Sequence, residues 1–299
     1  MRTKRMWLEL PLHLMLIPGL ALILIFSYGP MIGLVIAFQK FNYASGLFGS
    51  SWNGLDNFKY VYSLPDTMNV IRNTIVISVM KIIAGLIAPI VTALLLNELR
   101  KQLFKRTIQT LIYLPNFLSW VILSGILIEI LSPATGILNS LMASIGLEKV
   151  FFLGDPGWFP YVLVGSDVWK EFGFSTIVYL AALASINPTL YEAAVIDGAG
   201  RWKQTWHVTL PGMLPIIVLL TTLSLGQVLN AGFDQVFNLY SPVVYSTGDI
   251  LDTYVYRIGL VNGQFGVATA VGLFKSVISF FLICLSYILA YRLANYRIF

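Results

Sequence analysis

Six apolar stretches, each long enough to cross a membrane, alternate with more polar connections along the chain. They occupy positions 12–38, 74–96, 107–131, 159–184, 215–239 and 265–291. About 20 apolar residues in helical form span the ~30 Å hydrocarbon core of a bilayer. The pattern therefore predicts six transmembrane helices. The first stretch follows Arg2, Lys4 and Arg5 as a secretory leader would. Its apolar run is too long for a leader, and no small-residue cleavage site follows, so it reads as the first membrane helix.

Composition agrees. Of 299 residues, 57% are hydrophobic and 11% charged, with a mean hydropathy of +0.79; soluble domains carry roughly 25% charge. The net charge of +5 contains no basic run of the kind that binds nucleic acid, and reads instead as orientation bias. The single cysteine, Cys284, lies in an apolar run and reads as a small buried side chain. His13 and His207 stand far apart, and no metal-ligand spacing is present.

Lys and Arg in the connections set orientation, because short cytoplasmic loops collect them. Arg2, Lys4, Arg5, Arg100, Lys101, Lys105, Arg106, Arg201, Lys203, Arg292 and Arg297 fall on one side; Lys40, Lys59, Arg72, Lys149 and Arg257 fall on the other. The predicted organisation is a cytoplasmic N-terminus (1–11), a six-helix membrane domain (12–291) and a cytoplasmic tail (292–299). The 185–214 connection is then cytoplasmic, and 39–73, 132–158 and 240–264 face outward.

The cytoplasmic connection has a local design. Asn187 can cap a helix, Pro188 suits its first turn, and 189–195 can form about two turns. Gly198 and Gly200 permit the chain to reverse. Leu210-Pro211 starts the return to the membrane.

Within this connection, Glu192-Ala193-Ala194, three residues, Gly198, nine residues and then Val208-Thr209-Leu210-Pro211 resemble the EAA loop of permease subunits in binding-protein-dependent ABC importers, with Val208 in place of the family's Ile. Trp52-Asn53-Gly54-Leu55-Asp56-Asn57-Phe58 resembles a stretch after the first helix of sugar-type permeases. Ser166-Asp167-Val168-Trp169-Lys170, Ile177–Leu183 and Ala268–Leu273 resemble the branch that handles complex saccharides.

The resemblance implies an all-α transmembrane domain of the type I importer class, in the cytoplasmic membrane of a prokaryote. It also implies a second permease, as a heterodimer, two cytosolic ATPase subunits and an extracytoplasmic solute-binding protein. Glu192, Ala193, Ala194, Asp197, Gly198, Leu210 and Pro211 would couple this chain to the ATPase. No GxxxxGK[ST] phosphate loop occurs in the sequence. ATP and magnesium are therefore expected in the partner ATPase, with no cofactor and no catalytic residue in this chain. A plain solvated linker is the rival reading of the loop.

Polar residues inside the membrane stretches are the candidate pathway. Gln227, Asn230, Asp234 and Asn238 are spaced by three, four and four, which places them on one face if 215–239 is a single helix. At 1.5 Å per residue, Gln227 would lie roughly 18 Å and Asp234 roughly 28 Å along from Pro215. Such a face either meets sugar hydroxyls or packs on the partner permease. In the fourth stretch, Asp167, Lys170 and Glu171 fall ~12–18 Å deep. Asp167 and Lys170 are spaced to pair, and Trp169 could stack on a sugar. The rival is a self-neutralised cluster, or a later helix start that leaves them at the surface.

Lys81 reads as a residue that snorkels to the outer surface, whereas Lys275, near mid-depth, could pair with Asp167 or Glu171. Gly29 and Gly33 form a GxxxG that allows close helix contact. The expected function is a saccharide permease subunit. The rival class is a stand-alone secondary transporter or other polytopic membrane protein, though neither internal repeats nor a catalytic constellation is visible.

Overall fold

The computed structural model describes residues 2–294. Four helical stretches are long and apolar enough to cross a membrane unaided: His13–Phe38, Thr67–Glu98, Arg201–Leu225 and Phe265–Leu289. Two further candidates are bent pairs, Gln102–Phe117 with Trp120–Leu131 at 107°, and Phe159–Ala184 with Pro188–Ile196 at 68°. Helices dominate, and the described strands are one two-stranded pair.

The chain divides into two compact units. One takes the chain up to Leu64 together with Val255–Phe274. It begins with α1 (Arg2–Ile23), which runs through π and 3-10 turns as far as Phe38. Only 6% of the most apolar window of this span is buried, so most of its surface is left for lipid or another chain. A Cβ built on Gly33 would meet nothing within 4 Å, so the GxxxG makes no close helix contact among the described residues.

A short hairpin follows, with β1 (Gln39–Lys40) antiparallel to β2 (Ser51–Trp52), and then α2 (Asp56–Ser63). The Gly-Leu-x-Asn-Phe stretch has a structural task here. Gly54 turns with φ +59, and the Asn57 amide donates to the carbonyls of Ala37 (2.8 Å) and Gln39 (3.0 Å).

The second unit runs over Pro65–Tyr254 and resumes at Lys275. Its helices are α3 (Thr67–Glu98), α4 (Gln102–Tyr113), α5 (Trp120–Leu131), α6 (Ile137–Ser144), α7 (Phe159–Ala184), α8 (Pro188–Ile196), α9 (Arg201–Leu225), α10 (Phe233–Leu239) and α11 (Leu251–Tyr256). It closes with the C-terminal part of α12 (Phe265–Ala294). One apolar core gathers Ile77, Leu123, Leu127, Phe159, Leu163 and Val236; a second gathers Ala93, Tyr179, Leu183 and Met213. Both use residues of α3 and α7. Gly173 lets α7 approach α4 closely, since a Cβ there would fall 1.9 Å from the Ile112 carbonyl oxygen.

Several boundaries differ from the sequence pattern. The 107–131 stretch is not one helix. A 3-10 turn at Leu114–Phe117 contains Pro115, which lacks an N–H, and Ser119 then caps a new helix by accepting from Ile122 N. The 215–239 stretch is also interrupted. The helix ends at Leu225, residues 226–232 are non-helical, and Gly232 has φ +94 before α10 begins. Only glycine takes that conformation readily. The return from the loop starts at Arg201 rather than Leu210, through a π stretch at Thr205–Thr209. Cys284 is exposed, against its expected burial; an apolar residue on a membrane helix faces lipid as readily as core. Arg297 lies outside the described residues.

Candidate translocation cavity and coupling helix

The break between α9 and α10 forms one wall of a cavity of about 420 Å³, with α3 and α7 supplying further wall. Gln227 and Asn230 line it from the non-helical stretch, Asp167 and Ser175 from α7, and Ser78 and Lys81 from α3. Leu86, Leu220, Leu223 and the Tyr179 ring make it amphipathic, which suits a solute with apolar faces and hydrogen-bonding edges. The Asn230 amide donates to Gln227 Oε1. Irregular backbone at membrane depth is tolerated where it is buried in protein or borders a water-accessible cavity.

Lys81 is the principal correction to the sequence reading. It does not snorkel; it is buried, with 9% of its surface exposed. Its ammonium lies 3.1 Å from Asp167 Oδ1, donates to the Ala231 carbonyl at 2.7 Å, and donates to Gln235 Oε1. These partners come from α7, from the 226–232 segment and from α10, and they hold the side chain inward rather than leaving it free to reach the surface. Gln235, wholly buried, fixes the other side of this cluster by donating to the Leu163 carbonyl and Ser166 Oγ, each at 2.7 Å.

The remaining candidates separate. Asp167 pairs with Lys81 across helices, not with Lys170 along one. Lys170 lies 3.5 Å from Glu171 Oε1 and donates to the Asn116 carbonyl at 2.7 Å, and Glu171 accepts from the Asn116 amide at 2.8 Å. Lys170 and Glu171 therefore brace the turn between α4 and α5. Trp169 borders apolar hollows with Leu127, Val162 and Ile83 and is not among the described residues lining the polar cavity.

Asp234 and Asn238 lie beyond the break on α10, where the Asn238 amide donates to the Asp234 carbonyl. The proposed single face of Gln227, Asn230, Asp234 and Asn238 is thus divided at Gly232. Lys275 pairs with Asp252 rather than with Asp167 or Glu171.

The loop helix forms as its residues dictate. Asn187 Oδ1 accepts from Thr189 N at 3.1 Å, Pro188 occupies the first turn, and Gly198 closes the helix with φ +72. Glu192, Ala193, Asp197 and Gly198 are exposed and Ala194 half-buried. Ile196 is 86% exposed beside exposed Leu190 and Val195, an apolar surface unusual for a solvated linker. The helix is braced from behind. Tyr191 OH and Thr209 Oγ1 are 3.0 Å apart, and Arg201 reaches Glu98 at 2.5 Å at the end of α3. Leu210 and Pro211 lie within α9, not on the exposed helix.

Long apolar helices around a polar cavity, with a short capped helix exposed at a loop, define a polytopic membrane protein of the transporter class. The sequence places it within that class: residues 63–295 match the model of the binding-protein-dependent transport system inner membrane component, and the chain belongs to this family. It is 44% identical over 272 residues to Protein LplB of Bacillus subtilis (strain 168), covering 91% of this chain and 86% of that one. It is 42% identical over 288 residues to the polygalacturonan/rhamnogalacturonan transport system permease protein YteP of the same organism, covering 96% and 90%.

Among solved structures it resembles a chain of a bacterial ABC transporter involved in the import of the acidic polysaccharide alginate. The TM-score is 0.90 at 38% identity, covering 97% of this chain and 98% of that one. The all-α fold is that of an ABC importer transmembrane domain, and the chain is a membrane-integral permease whose role is transport.

Proposed function

We propose that this permease carries a saccharide, of oligomeric or polymeric origin, through the cavity at the α9–α10 break. The observation that carries the reading is the cavity itself: hydroxyl, amide and carboxylate groups of Ser175, Gln227, Asn230 and Asp167 converge beside apolar and aromatic wall. Relatives named for polygalacturonan/rhamnogalacturonan transport and for alginate import support that chemical class.

The α8 helix, with Glu192, Ala193, Ala194, Asp197 and Gly198, is the coupling surface for a cytosolic ATPase. Its exposed Leu190, Val195 and Ile196 give that partner apolar area to bury. The assembly consists of this chain, a second permease that completes the cavity, two ATPase subunits that hold ATP and magnesium, and an extracytoplasmic solute-binding protein. A complex of the alginate transporter with its saccharide-bound periplasmic protein supports the last of these. The membrane is the cytoplasmic membrane of a prokaryote, with 1–11 and 292–299 on the cytoplasmic side.

ATP binding moves α8, the helices rock, and the cavity opens alternately to either side, each ligand favouring one state. Purification from native membranes tests the assembly. The wild-type chain brings down a second permease and an ATPase, and recovery of this chain alone, without linked ATP hydrolysis, overturns the reading.

A further inference from the structure

Lys81 has three N–H donors, and the structure gives each a partner. One goes to the Asp167 carboxylate, one to the Ala231 carbonyl and one to Gln235 Oε1. An ammonium needed only to neutralise Asp167 has no cause to reach the backbone of the α9–α10 break. One of its three donors is spent there, on the Ala231 carbonyl, and another on the Gln235 side chain in the first turn of α10. The break is further fitted to it: a Cβ on Gly232 would lie 3.0 Å from Lys81 Nζ, at a backbone φ of +94. Gln235 then links the same cluster to α7 through Leu163 and Ser166. The segment so held, 226–232, is the one that presents Gln227 and Asn230 to the cavity.

We infer that Lys81 is a positioning residue for solute passage: its ammonium fastens the non-helical α9–α10 segment to α3 and thereby sets where Gln227 and Asn230 stand. The inference rests on the cavity being the transport pathway. Lys81 acts through those amides and through the shape of the wall, and need not touch solute.

The test uses the whole importer in lipid vesicles, with partner permease, ATPase subunits and solute-binding protein. The readouts are assembled complex, ATP hydrolysis stimulated by loaded binding protein, and saccharide imported per ATP. The deciding comparison sets Lys81→Met combined with Asp167→Asn against Asp167→Asn alone. Both lack the carboxylate that lines the cavity, and if Lys81 positions the break the double variant, which also lacks the ammonium, imports less per ATP than the single one. Misplacing contact groups by ~1 Å is expected to lower import per ATP by at least about tenfold below the single variant, while stimulated hydrolysis stays within about twofold of it.

Lys81→Arg, which keeps both charges but whose planar guanidinium cannot take the place of the compact ammonium between Ala231 and Gln235, shows the same split. Import per ATP in the double variant within about twofold of Asp167→Asn alone would mean that Lys81 only balances Asp167, since misplaced contacts cost far more, and overturns the inference. Should the double variant fail to assemble, Lys81→Arg decides: normal import overturns the inference, and reduced import per ATP with stimulated hydrolysis retained supports it. Absence of ATP-dependent import by wild type would instead sink the transport reading on which the inference rests.

Discussion

Lys81 of α3 and Asp167 of α7 form an ion pair 3.1 Å across, their side chains 10% and 27% exposed. The pair joins two helices that also share both apolar cores. A buried pair adds little net stability, but removing one member strands the other charge.

Asp167→Leu should therefore destabilise the protein by on the order of 3 kcal/mol, because the Lys81 ammonium would remain buried without its carboxylate. Asp167→Asn, which keeps an acceptor, should cost less. Heating detergent-solubilised protein and following the folded fraction measures both. Equal stability of Asp167→Leu and wild type would show that water already reaches the pair.

The division at Gly232 separates residues that their spacing had grouped. Gln227→Leu and Asn230→Leu should reduce import while the complex still assembles, because both line the cavity. Asp234→Leu and Asn238→Leu should leave import close to wild type. Uptake by cells carrying each single variant checks this, and an equal loss at all four positions would restore the continuous face.

Much of the fold was legible because membrane helices must be long and apolar. The 159–184 stretch coincides with α7 to the residue, and Asn187, Pro188 and Gly198 act as their chemistry indicates. What stayed hidden depends on tertiary partners. Gly232 in an apolar run looks like a packing glycine until its φ is known. Periodicity alone therefore carried the helix through 226–232, although Asn230-Ala231-Gly232 was a turn signal that could have stopped it. Nothing local says that Lys81 meets Asp167, or Lys275 meets Asp252, because those pairings are made between helices. Gln235, the wholly buried hub, was overlooked because it stands one residue after Asp234, off the chosen face.

Gly198 ends α8 at φ +72, a conformation that asparagine tolerates and β-branched residues do not. Gly198→Asn should retain coupled ATP hydrolysis, and Gly198→Val, strained by roughly 1–2 kcal/mol, should weaken it while the chain still inserts. ATPase stimulation by loaded binding protein separates the two. Full stimulation of Gly198→Val would remove the geometric argument for the α8 end.

Gly173→Ala should impair folding of the membrane domain, since its Cβ would lie 1.9 Å from the Ile112 carbonyl oxygen and α4 would have to move away from α7. Overpacking of this kind costs about 1–3 kcal/mol. The amount of protein recovered in membranes, together with its thermal midpoint, measures the effect. An unchanged midpoint would mean that α4 can shift freely.

The most direct test of the account is saccharide uptake into vesicles holding the complete complex. Uptake should require ATP, magnesium and the loaded solute-binding protein together, and should fall when Asn230 is replaced by Leu. Accumulation driven by an ion gradient, with no dependence on ATP or on the binding protein, would contradict it.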